Sequence, residues 1–136
     1  MAFIPMNSGS GGLTETTLWT NPSPTSAMNA STILSLSDDY TNYDFLRIKY
    51  RFSTTSAAEW DVIASKDSIT TAIANTTTSN RISMCIVGTS TLVRTLSRSD
   101  STTLRDLIVT NTRQWGGSTT STTTVIPTEI IGMKLS

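Results

Sequence analysis

The run Asn111-Thr112-Arg113-Gln114-Trp115-Gly116-Gly117 is the stretch of this sequence whose residue types best fit a known chemistry. A ring that stacks on a sugar face, flanked by an amide and a guanidinium that bond hydroxyls, is what carbohydrate recognition requires. If a strand continues through the run, alternation puts Asn111, Arg113 and Trp115 on one face and Gln114 on the other. The paired glycines would let the backbone approach a ligand closely. The competing reading is that Trp115 covers the end of a core and the glycines make a turn. Trp19 and Trp60 are read as core residues first and as stacking platforms second.

Other chemistry finds little support. The chain has no histidine, which removes the commonest general base and the commonest metal ligand. A Ser/His/Asp or Cys/His site is therefore ruled out. Glu59 and Asp61 flank Trp60 and would share a strand face, the best available carboxylate pair for glycoside hydrolysis, but such pairs are common on exposed strands. Asp38, Asp39 and Asp44 lack the ligand spacing and closing glutamate of an EF-hand loop. The single cysteine, Cys85, lies in an apolar run and reads as a small buried hydrophobe. Gly9, Gly11 and Gly12 follow no strand and open no helix, so no phosphate cradle is expected. These readings predict no enzyme, no cofactor and no metal. A formal net charge of zero argues against nucleic acid as a partner. No apolar run reaches membrane-spanning length, and the N-terminus does not read as a signal peptide.

The elements that must position these residues read as strands. Phe45 to Phe52 alternates without a break. Leu46, Ile48, Tyr50 and Phe52 form an apolar face that belongs on a core. Phe45, Arg47, Lys49 and Arg51 form a face that must meet water, neighbouring carboxylates or a ligand. Ser31 to Leu36, with Leu34 and Leu36 inward, Trp60 to Ala64, Arg81 to Val87, Thr91 to Leu96 and Leu104 to Asn111 are further strands. Residues 65–80 read as a strand plus a long polar loop, and Ser118 to Thr124 as a solvated loop. Pro127 reads as the start of a last strand running to Leu135. Its 136 residues suffice for one domain. Low charge, abundant Ser and Thr and short strands together predict an all-β sandwich or barrel with at least two packed sheets.

Two stretches also resemble a known group of proteins. Glu15-Thr16-Thr17-Leu18-Trp19-Thr20-Asn21-Pro22-Ser23-Pro24-Thr25-Ser26, followed by Tyr43-Asp44-Phe45-Leu46-Arg47-Ile48-Lys49-Tyr50, looks like the small C-terminal β-domains of bacteriophage tail, baseplate and receptor-binding proteins. The ending Ile126-Pro127-Thr128-Glu129-Ile130-Ile131-Gly132-Met133-Lys134 is similar to their closing strand. The resemblance covers residues 15–60 and 125–135, and the Thr-rich middle only in composition. It implies an antiparallel, jelly-roll-like β-sandwich on a virion surface, without catalytic machinery. It also implies a homotrimer with other virion proteins and a host cell-surface glycan as partners. Members usually form the tip of a longer, stalked chain. Here residues 1–14 are expected to be a flexible N-terminal attachment segment, and residues 15–136 a single domain. That departure sets a capsid-decoration or head-fibre role beside receptor binding. A carbohydrate-binding module of a bacterial protein is a third reading.

Overall fold

A computed structural model of the chain describes residues 12–68, 82–87, 91–98, 105–114, 116–117 and 120–136. Its strands are β1 (Leu13–Thr20), β2 (Ile33–Ser35), β3 (Phe45–Ser53), β4 (Glu59–Ser65), β5 (Ile82–Ile86), β6 (Leu92–Arg98), β7 (Asp106–Val109), β8 (Thr112–Gln114), β9 (Thr120–Ser121) and β10 (Thr124–Leu135). The first sheet has the order β1-β10-β3-β4, and every pair in it is antiparallel. In the second sheet β6 is flanked by β5 on one side and by β7 and β8 on the other. β2 and β9 pair with the far side of β7 and β8. Both faces meet in one core, so the fold is an all-β antiparallel sandwich. β1 pairs with β10 and β2 with β7, so strands far apart in the chain are neighbours in both sheets.

Alternation explains the core. Leu46, Ile48 and Tyr50 of β3 point inward, as do Ile82, Met84 and Ile86 of β5 and Leu34 and Leu36 at β2. Phe52 has the same parity but is 41% exposed, because β3 runs past the end of the core there. Trp19 packs against the core. Cys85 is half-buried rather than buried, since the strand places Met84 and Ile86 inward and turns Cys85 to the other face. The polar run after Gly117 contains the short strand β9. The predicted Leu104–Asn111 strand stops at Val109, and a register shift at Thr110 and Asn111 restarts pairing at Thr112. Most of 65–80 and the 88–90 hairpin link lie outside the described residues.

The last strand differs most from its expectation. It begins before Pro127, at Thr124, and lies inside the sheet between β1 and β3. A proline is tolerated there because pairing with β3 shifts register between Pro127 and Glu129, and a bulge needs no ladder donor. β10 buries apolar residues on both faces. Val125 and Ile130 enter the core, while Ile126, Ile131 and Met133 are buried on the outer face.

Tyr50 joins the two sheets. Its hydroxyl donates to the Cys85 carbonyl at 2.7 Å and accepts from the Cys85 N–H at 3.2 Å, satisfying both backbone groups of that residue on an edge of β5 that no described strand pairs. Tyr50→Phe is expected to cost about 1–3 kcal/mol in denaturant unfolding, since it orphans two backbone groups. Burial raises the Tyr50 pKa above its ordinary 10. The unfolded tyrosine therefore loses its proton first as pH rises. The contribution of this residue is fully present below pH 10 and falls above it, and the phenylalanine variant should show a shallower alkaline loss.

Candidate functional site

The outer face of the first sheet runs from an apolar end to a polar one. Leu13 and Leu135 pair at one end, followed by Met133 beside Phe45. Arg47 comes next, across from Ile63 on β4. Its guanidinium bonds Asp61 at 2.6 Å and reaches Glu15 at 3.9 Å, spanning β10. Lys49 stands opposite Asp61 and Arg51 opposite Glu59. The basic face of β3 is thus met by neighbouring carboxylates, pairs that add little to stability at a surface. Glu59 and Asp61 do share a face, as alternation required, and both stand opposite cations.

At the polar end an open cavity of about 270 Å³ lies over the β10 bulge. Asn21, Arg51, Glu59, Thr128 and Glu129 line it, with Pro24 and Ala57 among its apolar walls. Asn21 extends the pairing of β1, its N–H donating to the Thr128 carbonyl at 2.8 Å. Its amide donates to the Pro127 carbonyl at 2.9 Å and accepts from the Ser23 N–H at 2.7 Å. The β3–β4 hairpin loop is stiffened by its own hydroxyls: Ser53 Oγ accepts from the N–H groups of Thr55 and Ser56, and Ser56 Oγ from that of Ala58. Arg51 Nε donates to the Ser56 carbonyl at 2.6 Å, tying the loop to the cavity wall.

The opposite face of the same hairpin carries two aromatics. Trp60 pairs with Tyr50 across the ladder, and Phe52 lies one diagonal step away. Trp60 is 39% exposed and, like Phe52, is not part of the core. The expectation that Trp60 is a core residue is therefore corrected: it sits on an edge strand beside the end of the core.

The residues singled out for sugar binding lie on the other sheet. Arg113 pairs with Val93 and Thr120 and is exposed on the outer face, while Thr112 beside it is buried. Asn111 is exposed at the break between β7 and β8, and Gln114 is exposed at the end of β8. Trp115 lies outside the described residues. Asn111, Arg113 and Gln114 do not line the cavity. Sequence reasoning missed the cavity residues because they come from three distant stretches, although Arg51 and Glu59 could have been matched across a hairpin.

The aspartates of the loop before β3 have structural partners. Asp38 accepts from the Asp39 N–H, the Asn42 amide and the Tyr43 hydroxyl, and these bonds, the backbone one foremost, hold its pKa below the usual range. Asp39 pairs with Arg105 at 2.6 Å, and Asp44 accepts from the Leu135 N–H at 2.7 Å. Among the described residues no group of three or more acids or thiols is placed to hold a metal ion.

No protein-family model matches this chain, and no curated protein matches it significantly.

Proposed function

We propose that this chain is a non-enzymatic structural protein of a bacteriophage virion, a surface-exposed tail or fibre module that attaches to a host glycan. The observation that carries the reading is the exposed Trp60–Phe52 pair on a stiffened hairpin. Large rings left outside the core of a small domain suit stacking on sugar faces. The antiparallel sandwich and the resemblance of residues 15–60 and 125–135 to phage receptor-binding domains add support. The labelled protein should bind purified bacterial cell-wall glycan. Trp60→Ala should weaken that binding roughly tenfold or more, as for an interface anchor, with unchanged circular dichroism. Equal binding by a folded variant would remove the pair as the site.

A capsid-decoration or head-fibre role is the second reading. It is favoured by the apolar end of the outer face, where Leu13, Leu135 and Ile63 are 43%, 54% and 55% exposed. That face suits a protein partner or the neighbours in a homotrimer. Binding to purified virions without binding to glycan selects this reading, and sedimentation of the same sample reads the trimer.

A further inference from the structure

We propose that the cavity over the β10 bulge is a second ligand site, one that takes a single sugar unit carrying a free amine. It lies on the opposite face of the hairpin from Trp60, and it depends on the glycan reading only for the source of its ligand.

About 270 Å³ falls just below the roughly 300–1,000 Å³ that accommodates drug-sized ligands, which leaves room for one ring and not for a chain.

The lining then sets the chemistry. Ionised Glu59 and Glu129 accept hydrogen bonds and cannot donate them. Arg51 has its Nε committed to Ser56, which leaves two terminal amino groups as donors. Two carboxylates against one guanidinium leave the lining with one negative charge. Lys49 stands across from Glu129 on β3 but does not line the cavity. Asn21 and Thr128 are each only 7% exposed and held in place. The Asn21 amide is fixed at both its oxygen and its nitrogen, yet keeps one N–H and one lone pair. Thr128 Oγ1 lies 3.4 Å from Glu59 Oε1 and keeps its acceptor capacity. A neutral sugar would make no charged contact with the excess carboxylate. A polyamine would set like charge against Arg51. A bare metal ion would be repelled by the guanidinium of Arg51 beside its carboxylate ligands. A ring with one ammonium and several hydroxyls meets every group: the ammonium goes to the carboxylates, and hydroxyl oxygens accept from Arg51 and Asn21.

The test is titration of the full chain with glucosamine, N-acetylglucosamine and glucose, followed by amide chemical shifts. Glucosamine should shift Asn21, Glu59 and Glu129. Acetylation of the amine, or its replacement by hydroxyl, should weaken binding at least about tenfold, through loss of a charge-assisted bond. Glu129→Gln should do the same, and so should Glu59→Gln at an exposed position, with circular dichroism unchanged. Trp60→Ala should leave glucosamine binding unchanged. Equal binding of all three sugars, shifts confined to other residues, no shifts at all, or indifference to both glutamine variants would overturn the proposal. Loss of cell-wall glycan binding in Trp60→Ala with glucosamine binding intact separates the two sites. Glucosamine binding without any glycan attachment would sink the functional reading and leave this one standing.

Discussion

Arg94→Ala should be among the most destabilising single replacements in the chain, costing about 3–5 kcal/mol in chemical unfolding, as expected when three carbonyls lose their donor at about 1–3 kcal/mol each and a void opens. Arg94 points into the core between Met84 and Leu96 and is fully buried. Its Nε donates to the Thr110 carbonyl at 2.6 Å, Nη1 to Val125 at 3.4 Å, and Nη2 to the Met28 carbonyl. One guanidinium thereby joins the break between β7 and β8, the start of β10 and the loop after β1. Val125 adopts a positive φ of 55°, a backbone region costly for a β-branched residue, at a point where Arg94 holds its carbonyl. Burial draws the Arg94 pKa down to about 10. Truncation would orphan three carbonyls and open a void. Arg94→Met restores most of the volume without the donors and should recover only part of the loss. A methionine variant as stable as the parent would show that packing, not the three bonds, is what matters.

Gly132→Ala should destabilise by about 1–3 kcal/mol, the usual cost of overpacking, and Gly132→Val by more. Glycine weakens a strand, so alanine in open space would be expected to stabilise it. Here a Cβ at Gly132 would lie 2.6 Å from Tyr43 Cδ1 and 2.7 Å from Cγ, closer than van der Waals contact with the ring allows. The ring cannot swing away freely, because its hydroxyl donates to Asp38 Oδ2 at 3.0 Å. Thermal unfolding of Gly132→Ala, Tyr43→Ala and the double variant checks the cause. With the ring gone, the extra methyl should cost little or even help, and the two changes should be far from additive. Strict additivity would mean that the clash is not the source.

Alternation is a local property, and whatever depended on it was legible in the residues themselves. The inward faces of β3 and β5, the inward Leu34 and Leu36, the shared face of Glu59 and Asp61 and the all-β class all follow from period two and β-branched composition. What depended on register and on where the core ends was not legible. Phe52 continues an apolar face one step past the core and so emerges into solvent beside Trp60. Arg94 shares the parity of Leu92 and Leu96 and so faces inward, but only the distant carbonyls that meet it there explain how a guanidinium stays buried. Pro127 looks like a boundary until a bulge excuses its missing donor in the middle of a sheet. The cavity needs Asn21, Arg51, Glu59 and Glu129 together, and only the pairing of β1 with β10 and of β10 with β3, across most of the chain's length, assembles them. Such contacts are decided by the fit of whole faces against one another, a free energy that no short window of sequence contains.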